Sequence, residues 1–123
     1  MHKLFQLFYL ALLLSSCQSN SCEDFKIGQF IYPKEMNSDV VIERTAEFQI
    51  ETSKKDGYTD KYQIIWDSDC SYHLVLLETN NEFDGMKPLT DTMHVNMVEV
   101  LESSYKFKAV LNSKVFEGQL IKQ

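Results

Sequence analysis

Val40-Val41-Ile42-Glu43-Arg44-Thr45-Ala46-Glu47-Phe48-Gln49-Ile50-Glu51 alternates apolar and polar side chains along most of its length. Read as extended chain, Val40, Ile42, Ala46, Phe48 and Ile50 share one face, and Val41, Glu43, Thr45, Glu47, Gln49 and Glu51 share the other. A period of two with one apolar face describes a half-buried β-sheet. Arg44 falls on the apolar parity. Either the chain turns at Arg44-Thr45-Ala46-Glu47 or the arginine points inward, and the turn is the preferred reading.

The same period runs outward in both directions. Upstream, Phe25 to Tyr32 reads as an opening strand. Downstream, Ser53-Lys54-Lys55-Asp56-Gly57 carries an Asp-Gly turn signal, after which Tyr62, Ile64 and Trp66 share a face. Asp67-Ser68-Asp69 reads as a corner. Tyr72, Leu74 and Leu76 then oppose His73, Val75 and Leu77, so this strand is apolar on both sides. Asn80 to Pro88 is the longest punctuated loop. From Met93 to Leu101 the apolar parity shifts by one residue, from Met93, Val95 and Met97 to Val98 and Val100, which is the signature of a β-bulge. Tyr105, Phe107, Ala109 and Leu111 point inward opposite Lys106 and Lys108, and Val115 to Lys122 closes the chain.

No gap between these strands is long enough for the helical crossover that a parallel pair requires. The expected fold is therefore all-β, a single antiparallel meander of seven to eight strands rolled into a small barrel or curved half-barrel. A barrel of this size is either packed with side chains or just wide enough for one small ligand.

The first 17 residues read as an address. Met1-His2-Lys3 is a short basic start, and Leu4 to Leu14 is an apolar run of eleven residues. As a helix that run is about 16 Å long, too short for a bilayer core of about 30 Å but suited to a secretory signal. Leu14-Ser15-Ser16-Cys17 resembles the bacterial lipobox, whose cysteine is lipidated and becomes the new N-terminus after cleavage. The expected organisation is a cleaved lipoprotein signal peptide at 1–16, a lipidated tether at 17–21 and a barrel-like domain at 22–123. The membrane is then a partner through the lipid on Cys17, since two or three acyl chains anchor stably where one does not. The expected location is the bacterial cell envelope. Gln18 rather than aspartate after the cysteine favours the outer membrane, by resemblance to enterobacterial sorting. Glu23-Asp24 reads either as part of an acidic surface-export signal or as two solvated acids at a domain edge.

The full chain has 123 residues, 12 Lys+Arg and 18 Asp+Glu, for a formal charge of −6. Cleavage before Cys17 removes Lys3 and leaves 107 residues at −7. That balance argues against a nucleic-acid partner, which needs a basic footprint. Of three cysteines, assigning Cys17 to lipid leaves Cys22 and Cys70. In an oxidising compartment these form a disulfide, with two buried thiols or a reactive thiol as the alternatives.

Neither a catalytic constellation nor a cofactor is expected. The chain lacks a Gly-x-Ser-x-Gly elbow, a P-loop, a dinucleotide fingerprint and a His-Glu-x-x-His motif. No metal is expected either, because His73 and His94 show no ligand spacing. Asp67 and Asp69 resemble half of a calcium loop without its glycine and terminal glutamate, so they read as a solvated corner. Tyr62, Trp66, Tyr72, Tyr105 and Phe107 either pack as an aromatic core or line a ligand cavity.

Cys22 to Phe30, Arg44, Phe48-Gln49-Ile50-Glu51 and Trp66 to Tyr72 together resemble a family of small lipoproteins from flavobacteria and their relatives. Some members carry an automatic DNA topoisomerase IV label. Such an enzyme is large, cytoplasmic and basic at its DNA surface, so the label does not fit an exported, acidic, small chain. Gly28-Gln29-Phe30 is also similar to the Gly-x-Trp opening of lipocalins, with phenylalanine in place of tryptophan. Fold analogy does not convey function; the lipid anchor, the disulfide-closed barrel and the lack of a catalytic motif lead instead to the expectation of a lipid-anchored, non-catalytic binding or accessory protein. The alternatives are an inhibitor of lysozyme or a protease, and a carrier of a small apolar ligand.

Overall fold

The computed structural model describes residues 21–36, 39–81 and 86–123. The expected signal peptide at 1–16 and the expected tether up to Asn20, Cys17 included, lie outside the described residues. Eight strands form a closed, wholly antiparallel barrel in sequential order: β1 (Gly28–Ile31), β2 (Val40–Arg44), β3 (Phe48–Ser53), β4 (Tyr58–Ser68), β5 (Ser71–Thr79), β6 (Thr92–Val100), β7 (Ser104–Leu111) and β8 (Lys114–Lys122). The closed form of the expected meander is the one adopted, because pairing β1 with β8 satisfies the last free edge. No helix among the described residues is long and apolar enough to cross a membrane.

The β2–β3 hairpin corrects the reading of face. Arg44 ends β2, points inward and is buried, and the turn at 45–47 follows it, so both alternatives hold at once. Arg44 pairs with Gln49, five positions later. Cross-strand partners lie on the same face, so an odd offset swaps the inward parity from even residues in β2 to odd residues in β3. Gln49 and Ser53 are consequently buried, while Phe48 and Ile50 lie on the outer side. Outside, the Lys61 ammonium sits 4.4 Å from the centre of the Phe48 ring and shields it.

Other boundaries also moved. The opening strand expected over Phe25 to Tyr32 covers only Gly28–Ile31, and Phe25 ends a 3₁₀ turn, Cys22–Phe25. Ser21 caps it, its hydroxyl accepting from the Glu23 N–H, and Asp24 accepts in return from the Ser21 N–H. This ties the Asp24 carboxylate to the turn and leaves Glu23 exposed. β4 continues through Asp67 to Ser68, so the corner is Asp69-Cys70. The β6 bulge lies between Met97 and Glu99, with Val98 displaced outward to solvent. The β7–β8 turn, Asn112-Ser113, takes positive φ at both residues, which matches the strand twist in a two-residue hairpin.

The two barrel ends differ. One is plugged by the 3₁₀ turn, whose Phe25 ring packs 5.4 Å from Tyr105 and 6.5 Å from Phe30. A disulfide between Cys22 and Cys70, with Cα atoms 5.2 Å apart, ties that plug to the β4–β5 corner. The Lys122 ammonium adds a 2.6 Å bond to the Asp24 carbonyl. At the other end, β1 stops at Ile31 and pairs with β8 only at Phe30↔Lys122 and Ile31↔Ile121. The first half of β8 is therefore flanked on that side by the turn Lys34–Met36 rather than by a strand.

Candidate functional site

The short β1–β8 seam leaves room at the mouth. A cavity of about 320 Å³ lies there, lined by Tyr32, Met36, Met93, Phe107, Ala109, Phe116 and Glu117. Met93, Phe107, Ala109 and Phe116 hold the inward parity of β6, β7 and β8, and the Lys34–Met36 turn brings Met36 over them. Gly118 sets the position of the Phe107 ring: a Cβ at residue 118 would lie 2.6 Å from the tip of that ring. The Phe107↔Gly118 cross-strand pair lets the ring lie flat over β8, beside the cavity. The lining residues are apolar apart from Tyr32 and Glu117, a composition suited to a small apolar ligand.

The closed end holds a different constellation. Arg44 Nε donates to Gln49 Oε1 at 2.9 Å, and Nη1 donates to the Phe25 carbonyl at 2.8 Å. Nη2 donates to the hydroxyls of Tyr105 at 2.9 Å and Tyr72 at 3.2 Å. All four acceptors are neutral. The guanidinium carbon also lies 4.6 Å from the Phe30 ring centre and 4.8 Å from that of Tyr72. Gln49 passes the link on, its Nε2 reaching Glu51 Oε1 at 3.4 Å. The buried cation is thus held by dipoles and aromatic faces, which offset much of its desolvation. With four of its five N–H donors committed to protein acceptors, it acts here as a structural anchor.

The five aromatics expected either to line a cavity or to pack divide between the two ends. Phe107 lines the mouth. Tyr72 and Tyr105 bond Arg44, Trp66 packs against Tyr72 with tilted rings whose centroids are 4.8 Å apart, and Tyr62 is buried in the core. Tyr32, Met36, Met93, Ala109, Phe116 and Glu117 were not singled out in the sequence. Alternation places Met93 and Ala109 inside, but nothing local signals that β1 stops early. His73 and His94 lie on the outer face, opposite each other on β5 and β6. Asp67 bonds His73, and Asp69 forms an ion pair with Lys26 at 3.1 Å.

Burial pushes the Tyr72 phenol well above its ordinary value of 10.0, and the neighbouring Tyr105 adds to this while Arg44 opposes it. Burial and the charge of Glu51 likewise raise Tyr32. Such groups keep their protons in the folded state at a pH where the unfolded chain has lost them. Their stabilisation is therefore complete below about pH 10 and declines as pH rises beyond it. Each withheld proton lowers stability by about 1.4 kcal/mol per pH unit in that window. Denaturant midpoints will accordingly fall between about pH 10 and about pH 12, and the fall will be shallower in Tyr72→Phe. An equal slope in both proteins would show that Tyr72 is not responsible.

The chain matches no protein-family model, and no match was found among curated proteins or solved structures.

Proposed function

We propose that the chain is a lipid-anchored cell-envelope protein that binds a small apolar ligand at its barrel mouth without transforming it. The observation that carries this reading is the cavity of about 320 Å³ beside Met93, Phe107, Ala109 and Phe116. Its size lies at the lower end of the range of roughly 300–1,000 Å³ for small-molecule sites. The rest of the barrel supports binding rather than chemistry. The plugged, disulfide-tied end gives a rigid wall, and the polar groups at the mouth are few. Anchoring by Cys17 follows from the lipobox resemblance; its tether leads into the plugged end, where Ser21 caps the 3₁₀ turn, so the mouth would be the end farther from the anchor.

The test is titration of the full chain with an apolar fluorescent probe of the naphthylamine type. Saturable binding is expected, and Met93→Trp, which fills the cavity from a partly exposed wall position, will weaken it by about tenfold or more, equivalent to about 1.4 kcal/mol. An unfolding midpoint close to that of the unmodified protein will show that the variant is folded. Absence of saturable binding, or equal binding by Met93→Trp, would remove the reading.

A further inference from the structure

We propose that Asp67, His73 and His94 form a binding site for one divalent transition-metal cation of the zinc class on the outer face of β4, β5 and β6. The three are remote in sequence and are assembled by two features of the sheet. The β5–β6 register sets His73 directly opposite His94, and both side chains leave the same face, with ring centroids 5.5 Å apart. The β4–β5 ladder then passes from Trp66↔Tyr72 to Ser68↔Ser71, with Asp67 as the extra residue of a bulge. Bulges re-aim side chains, and this one brings the Asp67 carboxylate to His73, its oxygens 3.0 and 3.1 Å from Nδ1.

One donor atom from each of the three residues lies within 4.8 Å of the other two. Around zinc, nitrogen and oxygen donors sit about 2.0–2.2 Å from the ion, so the cluster must contract modestly. Side-chain torsions can supply that contraction, because Asp67 and His94 are exposed and His73 is partly so. The cation would take the place of the hydrogen bond between Asp67 and His73, with the imidazole carrying its proton on Nε2 and offering Nδ1. Two imidazole nitrogens and one carboxylate select a borderline cation over calcium or magnesium, which prefer all-oxygen shells. Three protein ligands leave a position open to solvent or to a donor group from another molecule. The site lies on the outer surface, so it is independent of the cavity at the mouth.

The probe is zinc ion alone, added to the untagged, non-reduced full chain with free thiols alkylated, and followed by competition with a chelating dye. One tight site per chain is expected. Loss of even an outer-sphere partner of a metal costs about 10–100-fold in affinity, so His94→Gln and Asp67→Ala will each weaken zinc binding at least that much. Excess magnesium will not compete. Both replaced residues are solvent-exposed, and an unchanged unfolding midpoint without metal will confirm that the variants fold. The proposal is overturned if the unmodified chain binds no zinc, or if His94→Gln binds it as tightly as the unmodified chain.

Discussion

Arg44→Met will lower the unfolding free energy by about 3–5 kcal/mol, a large share of the roughly 5–15 kcal/mol typical of a domain this size. Methionine fills much of the volume but leaves the Gln49 amide oxygen, the Phe25 carbonyl and the Tyr72 and Tyr105 hydroxyls without their donor. Each buried group left unsatisfied costs about 1–3 kcal/mol, reduced where a neighbour can substitute. The two tyrosine hydroxyls can do so in part, since they already lie 2.9 Å apart. Arg44→Lys will recover little, because a point ammonium cannot reach acceptors arranged around a planar fork. Tyr105→Phe removes one acceptor and will cost only about 1–2 kcal/mol. Chemical denaturation monitored by Trp66 fluorescence, 5.9 Å from the guanidinium carbon, measures all three. A loss below about 1 kcal/mol for Arg44→Met would mean that water replaces the guanidinium and that the network is not the anchor described here.

Removing the Cys22–Cys70 bond, as in Cys22→Ser with Cys70→Ser, will cost about 3–4 kcal/mol. The residues are 48 apart in sequence, and closing a loop of that size in the unfolded chain accounts for about 4 kcal/mol in the chain-entropy model. The bond also has a local role. It holds the turn whose Phe25 ring plugs the barrel and whose Phe25 carbonyl accepts from Arg44. The two perturbations should therefore overlap: the disulfide-free Arg44→Met variant will lose less than the sum of the separate losses, by about 0.5 kcal/mol or more. Strict additivity would show that the plug stays seated without its covalent tie. Denaturation with and without reductant provides the same comparison in the unmodified protein.

The legibility of this chain varied from strand to strand. Alternation alone gives the correct faces of Tyr72-His73-Leu74-Val75-Leu76 and Tyr105-Lys106-Phe107-Lys108-Ala109, because each lies within one unbroken strand. The parity shift near Met97 located a bulge, since the extra residue is itself part of the pattern. Ser53 to Gly57 was correctly a turn, with Gly57 at φ 72° where a side chain would be strained. The Cys22–Cys70 pair followed from counting cysteines, and the structure brings the two within bonding distance. For Phe48-Gln49-Ile50-Glu51 alternation carried through the turn predicts the wrong face, because the Arg44↔Gln49 register reverses the parity. The buried polar face of β3 has a reason only when Arg44 is placed beside Gln49.

Alternating side chains, short gaps and few glycines settle an antiparallel all-β chain, because strand periodicity and the length of a crossover are local properties of the polypeptide. The inward face of β3, the mouth cavity and the meeting of Asp67 with His73 and His94 are not local. They follow from the five-residue offset between Arg44 and Gln49, the two-pair seam between β1 and β8, and the bulge that leaves Asp67 unpaired. Each is a register between segments that come together only when the barrel closes. Backbone pairing across closed strands, rather than the character of any one residue, decides which side chains meet.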